Sequence, residues 1–544
     1  MPRLLRSLAM TIDFYVTNII IQSLHQNKAK SIMVNKILCA TRNGIGGEIV
    51  EVQATFVRAL PAFVITGLAN NAIQESKQRI QSALNHINFT FPPLKIAVHL
   101  SPADIAKSGS HFDLPIALLI ALQKQGTNAS EEQKWFAFGE LGLDGEIRHS
   151  EAIYPLLLEV SLLYPNAKVI VPKEGENLFC HIPNLRLFYA SNLKDALEII
   201  QNADLQNDST ESAPKPKSLD FASININGEE FYHTRVFSSD FAQVRGQEIA
   251  KRAALIAASG MHNIIFEGSP GCGKSMIAKR MREILPPMSL SEIIQCVRLQ
   301  AISGQKATYS PLRPFRNPHQ SASKSSILGS ATQSEAKPGE IALAHNGILF
   351  FDELPHFSKE VLEALREPLE NNELVISRVH SKIAYPTSFL FVGAQNPCPC
   401  GNLLSLSKEC RCSQKEIASY RARLSEPFLD RIDMFIQMQE NEQDAKPSIT
   451  SAQMQEAVFG AYKAQIKRGQ KHANGKLNEK EIEEFCTLSE ESQRLLLQAA
   501  QRFSLSHRSI QKLKKLSRTI ADLDAKEEIG KSHLLEALNY RRVG

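Results

Sequence analysis

The chain lacks the features that mark membrane, secreted and repeat proteins. No uninterrupted apolar run is long enough to span a bilayer, and the sequence shows no internal repeat. The nine cysteines are odd in number and scattered apart from one cluster, which argues against a disulfide framework and favours a reducing cytoplasm. The net charge of +5 is small for 544 residues, so composition favours a polyanionic partner only weakly. We therefore expect a soluble cytoplasmic protein with no membrane partner.

Shifts in composition and periodicity divide the sequence into segments. The first has an apolar stretch interrupted by Asp13 and no small-residue cleavage site, so we expect an extension rather than a signal peptide, with Met33 as an alternative start. A polar stretch rich in proline and serine marks a linker between two strand-and-helix series. The expected segments are an extension (1–33), a first domain (34–203), a linker (204–235), a second domain (236–440) and a charged helical domain (441–544).

The strongest motif is "NIIFEGSPGCGKSMIAKRM", an apolar strand pattern followed by a glycine-rich turn and a helix pattern. It fits the phosphate-binding pattern G-x-x-x-x-G-K-S/T, in which backbone N–H groups and the helix N-terminus surround the phosphates of a nucleotide. We expect Lys274 to reach the β and γ phosphates and Ser275 to bind Mg²⁺. The predicted ATP-binding residues are Gly268, Ser269, Pro270, Gly271, Cys272, Gly273, Lys274 and Ser275.

Two further strand patterns end in polar residues that suit nucleotide hydrolysis. "GILFFDEL" ends in Asp352, which we expect to hold Mg²⁺ through water, and Glu353, which we expect to polarise the attacking water. "SFLFVGAQN" ends in Asn396, whose amide can orient that water. Farther along, "LSEPFLDRIDM" carries Arg431 and "LSHRSIQKL" carries Arg508. The order of these motifs along the chain is more informative than either arginine alone.

This order resembles the AAA+ ATPases, in the branch that contains magnesium chelatase motor subunits and MCM helicases. Over roughly residues 34–544 the chain resembles the ComM/YifB family of Mg-chelatase-like ATPases, through "RPFRNPHQSAS", "KPGEIALAHNGILFFDELPHF", "VLEALREPLE", "NPCPCG", "DRIDM" and "RTIADL". The resemblance implies an α/β fold: an AAA+ P-loop ATPase core with a helical lid, preceded by an α+β Lon-protease-like N-terminal domain. It also implies that Asn396 is sensor 1, Arg431 a trans-acting arginine finger and Arg508 sensor 2.

An arginine finger implies a ring, expected to be a homo-hexamer. By the same resemblance the protein is an ATP-dependent DNA helicase that promotes branch migration of joint molecules in natural transformation. The alternative is a chelatase-like motor that remodels a protein partner. A weaker third option is an ATP-dependent protease.

Two basic segments are candidate contacts for single-stranded and branched DNA. "NNELVISRVHSKIAYP" reads as a hairpin with a basic tip, and it resembles the hairpin that MCM-type motors project into their central channel. "PLRPFRNPHQSASKSS" is a second basic loop. The other reading of both segments is solvated charge or contacts between subunits. The predicted DNA-binding residues are Arg378, His380 and Lys382 in the hairpin, and Arg313, Arg316 and Lys324, with His319 beside them, in the loop.

The N-terminal domain resembles the Lon protease without its catalytic pair. His111 stands near the position of the Lon serine and Tyr154 at that of its lysine. A Ser–Lys dyad needs a hydroxyl beside a desolvated amine, and the nearby Ser108, Ser110 and Lys107 do not fit that pattern. We expect this domain to be catalytically silent and to serve ring assembly or DNA engagement.

The segment "NPCPCGNLLSLSKECRC" places four cysteines in a C-x-C…C-x-C arrangement within an insertion over 398–412. Four thiolates suit tetrahedral Zn²⁺, which would fix a loop too short and polar to fold by burial. An iron–sulfur cluster and four free thiols are the alternatives, and nothing nearby resembles a thioredoxin-type context. The predicted metal ligands are Cys398, Cys400, Cys410 and Cys412.

Overall fold

A computed structural model describes most of the chain. The described residues are 36–125, 135–205, 216–331, 336–378, 381–405, 407–439 and 449–541. The expected N-terminal extension, His380 and residues 206–215 of the expected linker lie outside these ranges. Within them, no helix has the length and apolar character needed to cross a membrane. The chain divides into two compact units: the first holds the described residues up to Pro216 except Arg42–Gly46, and the second holds Arg42–Gly46 and the described residues from Lys217 onward.

The first unit is built on a seven-stranded mixed sheet with helices packed on it. Its strands are β1 (Lys36–Asn43), β2 (Gly46–Val57), β3 (Ala62–Thr66), β4 (Lys95–Ser101), β5 (Trp135–Ala137), β6 (Glu140–Leu141), β7 (Ile147–Arg148), β8 (Ala167–Pro172) and β9 (Leu185–Ala190). Its helices are α1 (Asn71–His86), α2 (Asp113–Gln125), α3 (Ile153–Leu163), α4 (Glu176–Phe179) and α5 (Leu193–Leu205). The sheet order is β3-β4-β2-β1-β5-β8-β9.

Local sequence explains these elements. In β4 every second residue is buried, as expected for a strand with one face on the core. Helix α1 begins where the side chain of Asn70 accepts a hydrogen bond from the amide of Ile73, and it buries Ile73, Ile80 and Leu84 on one face. These apolar residues recur at helical spacing, which places them on the same face of the helix.

The second unit contains a parallel core sheet, accessory hairpins and a helical subdomain. Its strands are β10 (Ala222–Ile226), β11 (Glu229–His233), β12 (Ile264–Gly268), β13 (Met288–Ser289), β14 (Phe315–Arg316), β15 (Gly329–Ala331), β16 (Ala336–Pro338), β17 (Ile348–Phe351), β18 (Glu373–Arg378), β19 (Ser381–Pro386), β20 (Leu390–Gln395) and β21 (Met434–Met438).

The helices of this unit fall into a core group and a C-terminal group. The core group is α6 (Glu248–Gly260), α7 (Lys274–Met281), α8 (Leu290–Ser303), α9 (Lys324–Leu328), α10 (Glu340–Leu343), α11 (Lys359–Ala364), α12 (Arg366–Asn371), α13 (Gln414–Arg421) and α14 (Glu426–Leu429). The C-terminal group is α15 (Ser451–Lys467), α16 (Glu479–Phe485), α17 (Glu490–Arg502), α18 (His507–Leu523) and α19 (Lys531–Asn539).

The core sheet of the second unit has the order β14-β17-β20-β12-β21, with every pair parallel. Its central strands are buried on both faces, which is why they read as continuous apolar runs. In β12 the residues alternate between two cores: Ile264 and Phe266 pack toward the C-terminal helices, and Ile265 packs against the opposite face. Because the strands are parallel, the residues that follow β12, β17 and β20 meet at the carboxyl-terminal end of the sheet.

The prediction of a linker over 204–235 is wrong for its second half. Residues 222–233 form the antiparallel pair β10–β11, and β11 continues the sheet onto β13. The pattern is hard to recognise because β10 alternates with polar residues exposed and β11 begins with two exposed glutamates. The side chains of Phe231 and Tyr232 are buried, and they attach the hairpin to the rest of the second unit.

Candidate active site

A glycine-rich loop joins β12 to α7 and encloses a buried ammonium group. Gly273 adopts φ +97°, a left-handed conformation that glycine tolerates without strain, and the helix begins at the next residue. Lys274 Nζ donates to the carbonyl oxygens of Gly268 at 2.6 Å and Ser269 at 3.0 Å. Burial lowers the pKa of this lysine. The loop therefore folds its own carbonyls around the cation that an anionic ligand would bind.

The side chains of this loop fit a nucleotide phosphate. The hydroxyl oxygen of Ser269 is buried and has no hydrogen-bond partner among the described residues. Lys274 donates only to neutral acceptors among its oxygen partners here, so a phosphate oxygen would gain a charge-assisted bond. An unpaired hydroxyl and an ammonium without a carboxylate are the groups that a bound phosphate satisfies.

The predicted magnesium residues are in contact with each other. Ser275 Oγ donates to Asp352 Oδ2 at 2.7 Å, and the amide of Glu353 donates to Asp352 Oδ1 at 3.0 Å. A hydroxyl and a carboxylate at this distance offer the oxygen ligands that Mg²⁺ takes beside a nucleotide. Glu353 has φ +52°, a conformation that costs free energy in a residue other than glycine and is typical of functional sites. This backbone turn presents the Glu353 side chain at the exposed surface of the site.

Asn396 completes the same edge of the sheet. It follows β20, and its Oδ1 accepts a hydrogen bond from Lys274 Nζ at 3.2 Å. The backbone N–H of Asn396 is held by the hydroxyl of Tyr420 on α13. The structure therefore brings Lys274, Ser275, Asp352 and Asn396 together as the sequence predicted. Tyr420 was not identified from the sequence, because no motif connects it with the nucleotide loop.

Arg431 lies at the opposite end of the parallel strands, where β12 and β21 begin. It precedes β21, and its carbonyl oxygen accepts from Asn263 Nδ2 at 3.2 Å, just before β12 begins. The amide of Asp433 donates to the carbonyl oxygen of Asn263 at 2.9 Å. The nucleotide loop follows the other end of β12, about 16 Å away for five residues at ~3.3 Å each. Arg431 is therefore separated from the nucleotide loop of its own chain by the length of the strand.

Arg508 lies beside Arg431 rather than beside the nucleotide loop. Both guanidinium groups form ion pairs with the carboxylate of Glu370, at 2.5 Å for Arg431, and Arg508 also lies 3.7 Å from Asp430 Oδ2. Farther along α18, Lys512 Nζ donates to the carbonyl oxygens of Asp430 and Ile432, the second at 2.9 Å. Sequence reasoning missed Glu370 and Lys512, since neither belongs to a nucleotide-site motif.

The four cysteines of the insertion converge. The Sγ atoms of Cys398, Cys400 and Cys410 lie 3.5–3.7 Å apart, and all four sulfurs lie within 4.8 Å of one another. A tetrahedron with metal–sulfur bonds of ~2.3 Å has sulfurs about 3.8 Å apart, so the spacing fits a four-thiolate zinc site. The amides of Asn402 and Arg411 hydrogen-bond to Cys400 and lower the pKa of that thiol to about 6, whereas the pKa values of Cys410 and Cys412 are raised beside the other thiols.

The cysteine loop packs against the nucleotide loop. A Cβ atom at Gly401 would meet the ring of Pro270 at 2.6 Å, so only glycine fits this close approach, and Gly401 has φ +79°. The amide of Gly401 donates to the carbonyl oxygen of Cys398 at 3.0 Å. The insertion starts beside Asn396 and ends at α13, whose Tyr420 returns to Asn396. The cluster thus closes a loop that begins shortly after Asn396 and leads into the helix whose Tyr420 contacts Asn396.

The prediction that Arg313 contacts DNA is contradicted by its burial. Its side chain is 5% exposed, and its N–H groups donate to the carbonyl oxygens of Pro286, Pro287 and Asn346 at 2.8–3.0 Å. Two further bonds reach the carboxylate of Glu292 at 2.9 and 3.3 Å. Every donor that a phosphate would need is already used inside the unit, so Arg313 is a structural residue.

The other basic candidates are more accessible. Lys382 is exposed on β19, and β18 and β19 pair as the hairpin that the sequence predicted. Arg378 ends β18, but its side chain lies outside the described residues, as does His380. Arg316 forms a paired salt bridge with Glu340. The side chain of Lys324 is 57% exposed, with a loose contact of 3.4 Å to Glu360. Among these, Lys382 and Lys324 are the lysines that present charge to solvent.

The Lon-like positions in the first unit hold no hydroxyl–amine pair. His111 is buried, its Nε2 lies 2.9 Å from the carbonyl oxygen of Ala40, and burial lowers its pKa to about 4. Tyr154 is fully buried in α3. Lys107 Nζ donates to the carbonyl oxygen of Pro102, whereas the hydroxyl of Ser110 donates to Glu140. These contacts give neither amine nor hydroxyl the partner that peptide-bond cleavage requires.

Fold and site together define an AAA+ P-loop ATPase of the magnesium-chelatase type. A family model described as magnesium chelatase, subunit ChlI, matches residues 240–446, and the corresponding C-terminal model matches residues 448–541. A further model, described as subunit ChlI of Mg-chelatase, matches residues 50–175 of the first unit. The family implies ATP and Mg²⁺ as ligands of the site described above.

Full-length relatives narrow the family. The chain is 35% identical over 507 residues to the competence protein ComM of Haemophilus influenzae, covering 92% of this chain and 96% of that protein. It is 32% identical to the protein YifB of Escherichia coli, over 92% and 95% of the two chains. A 38 kDa magnesium-chelatase subunit of Cereibacter sphaeroides is 23% identical over 29% of this chain and 52% of its own length. The chain belongs to the ComM/YifB family.

Proposed function

We propose that the protein is a ring-forming, ATP-dependent DNA motor of the cytoplasm, acting as a helicase in branch migration during DNA recombination in natural transformation. The observation that carries this proposal is the position of Arg431, a strand length away from the nucleotide loop of its own chain. An arginine at that edge reaches a phosphate only in another copy, so the active site is completed between neighbours. A closed ring of such heterologous contacts, expected to be a hexamer, satisfies every copy.

Each residue of the site has a defined task in this proposal. When bound, ATP and Mg²⁺ supply the phosphoanhydride bond and the charge that polarises it. The backbone of the nucleotide loop and Lys274 hold the β and γ phosphates, and Ser275 and Asp352 hold the metal. Glu353 accepts the proton of the attacking water, while the Asn396 amide orients that water. Arg431 of a neighbouring copy stabilises the charge that develops in the transition state, and Arg508 is assigned to sensor 2.

Exposed basic groups and the name of a relative support DNA as the substrate. Arg378, His380 and Lys382 alternate in the sequence of the β18–β19 hairpin, and phosphates attract such residues regardless of sequence. Lys324, with Arg316, forms the second candidate contact. The relative from Haemophilus influenzae is a competence protein, and competence is the uptake of DNA. Arg313 is no part of this interface.

DNA binding tests the proposal directly. We expect the purified protein to bind single-stranded and branched DNA, with an affinity that falls steeply as salt rises, and to hydrolyse ATP faster when DNA is present. Lys382→Ala with Arg378→Ala should keep the basal ATPase rate and lose DNA-stimulated unwinding, whereas Lys408→Ala, an exposed lysine of the cysteine insertion, serves as the charge control. Equal ATPase rates with and without DNA, together with no binding at low salt, would refute the proposal.

A chelatase-like motor acting on a protein partner is the second candidate. The observation that favours it is the likeness to the magnesium-chelatase subunit from Cereibacter sphaeroides. Under this alternative, ATP hydrolysis responds to a partner protein and not to DNA. The ATPase assay with a panel of DNA structures therefore separates the two candidates.

We further propose that the four cysteines hold a structural Zn²⁺. The tetrahedral spacing of the sulfurs and the amides directed at Cys400 support a metal–thiolate site. Metal analysis of protein purified without a histidine tag is expected to find about one zinc per chain. Iron in its place would indicate an iron–sulfur cluster, and neither metal would indicate free thiols.

A further inference from the structure

We propose that Glu370 and Lys512 are positioning residues that hold Arg431 and Arg508 as a single two-arginine unit, aimed at a nucleotide bound by a neighbouring copy. The inference rests on the proposed ring and goes beyond it. The proposed function assigns roles to the two arginines, and neither the family pattern nor any sequence motif assigns a role to the carboxylate and the lysine beside them.

Glu370 joins the two arginines directly. It lies at the end of α12, and its two carboxylate oxygens contact different guanidinium groups, Oε2 that of Arg431 at 2.5 Å and Oε1 that of Arg508. With Asp430, which lies 3.7 Å from Arg508, and the ammonium of Lys512 included, three positive and two negative charges leave the cluster with a net charge of +1. The carboxylate therefore brings two like charges together without cancelling their attraction for an anion.

Lys512 joins the arginines through the backbone. It follows Arg508 by four residues on α18, so both side chains lie on the same face of the helix. Its ammonium donates to the carbonyl oxygens of Asp430 and Ile432, the residues on either side of Arg431. Helix α18 thus carries one arginine itself and fixes the loop that carries the other. Any movement of this helix displaces both arginines together.

The arrangement lies where only a neighbouring copy can use it. The Arg431 loop is hydrogen-bonded to Asn263, at the amino-terminal end of the strands, and Lys274 and Asn396 lie at the other end. The side chain of Arg508 is 48% exposed and that of Glu370 is 38% exposed, whereas that of Arg431 is 12% exposed, so Arg508 and the carboxylate are the part of the cluster that is open to solvent in a single copy. Partly exposed ion pairs such as the one between Glu370 and Arg508 contribute little to stability, so a purely structural role of Glu370 predicts little effect of removing its charge.

Kinetics of three variants and two matched controls test the inference. Glu370→Gln and Lys512→Met are expected to lower kcat for ATP at least tenfold, toward the rate of Arg431→Ala, while KM changes less than twofold because the nucleotide loop lies at the other edge. Lys512→Arg should recover at least half of the wild-type kcat, since a guanidinium can donate to both carbonyl oxygens. Glu367→Gln on α12 and Lys514→Met on α18 are the matched controls and should retain the wild-type kcat.

Mixing two inactive variants separates positioning from folding damage. Lys512→Met has an intact nucleotide loop, and Lys274→Ala has an intact arginine unit. An equal mixture should recover about a quarter of the wild-type rate, because about one interface in four pairs the two intact halves. If Lys512→Met merely misfolded the C-terminal group of helices, this variant would also fail to assemble. Its mixture with Lys274→Ala would then show no recovery of ATP hydrolysis.

The outcomes are distinct. Wild-type kcat in Glu370→Gln and Lys512→Met, a kcat above wild type in Glu370→Gln, or a mixture no faster than the sum of its parts would overturn the inference. Wild-type kcat in Arg431→Ala and Arg508→Ala would instead overturn the proposed ring mechanism. Loss of activity in both arginine variants with the expected mixing result would support both proposals.

Discussion

Replacing Arg313 by methionine tests whether this arginine supports the fold or binds DNA. The side chain is 5% exposed and makes five hydrogen bonds, two to Glu292 and three to carbonyl oxygens. Methionine fills a similar volume but donates nothing, so Glu292 and the carbonyl groups lose their partners. Breaking one side of a buried ion pair costs about 3–5 kcal/mol of unfolding free energy.

Thermal unfolding measures this loss. At ~2 °C per kcal/mol for a unit of this size, the unfolding midpoint of Arg313→Met should fall by about 6–10 °C. Arg316→Met is the matched control from the same loop. It breaks a partly exposed pair with Glu340, with an expected cost of about 1 kcal/mol.

A double variant sharpens the test. Glu292→Gln combined with Arg313→Met removes both members of the pair, so its loss of unfolding free energy should be smaller than the sum of the two single losses. DNA affinity measured well below the unfolding transition should not change in Arg313→Met. A midpoint within 2 °C of the wild type together with a loss of DNA affinity would refute this reasoning and restore Arg313 to the DNA-binding residues.

Three further predictions concern the nucleotide site, the cysteine cluster and pH. Lys274→Ala should lose ATP binding, whereas Glu353→Gln should bind ATP and assemble without turnover; normal hydrolysis by the second variant, followed as phosphate release, would show that another group is the base. Cys400→Ser should lose most of the bound metal and raise KM for ATP several-fold, because the cysteine loop packs on the nucleotide loop; unchanged KM in metal-free protein would contradict this. Burial lowers the pKa of His262 and His345 to about 4, below the value of 6.5 that they have when unfolded, so folding favours their neutral forms. Each therefore contributes stability that is present above pH ~6.5 and is lost as the pH falls toward 4, up to about 3 kcal/mol per residue. The unfolding midpoint of His345→Gln should depend less on pH over this window, and an unchanged dependence would rule out His345 as a source.

The nucleotide site could be predicted because each of its residues follows an apolar strand within a short recognisable motif, although the motifs lie up to 122 positions apart. The contacts among Lys274, Ser275, Asp352 and Asn396 follow from one rule, that the residues after parallel strands meet at one edge of the sheet. The hairpin over β18 and β19 was also predicted, since alternating apolar residues flank a short polar tip.

Burial and long-range pairing could not be predicted from the same patterns. Arg313 lies in a loop with a strong positive charge, and nothing in its neighbourhood in sequence reveals that Glu292 and three carbonyl groups surround it. Likewise, Glu370 pairs with arginines 61 and 138 positions away. The strands of the hairpin over 222–233 were assigned to a linker because four of their ten residues are exposed and the surrounding segment is polar. In each case the partner, not the local pattern, determines the role.

The distance between Arg431 and its own nucleotide loop has a consequence for the use of ATP in the cell. Under the proposed mechanism, a lone subunit can fill its site yet has no arginine within reach, so it stores the nucleotide without consuming it. The hydrolysis rate per subunit should therefore rise with protein concentration until every copy has a neighbour. Dilution should therefore stop hydrolysis: separate subunits do not hydrolyse ATP, and turnover begins only at concentrations at which copies associate.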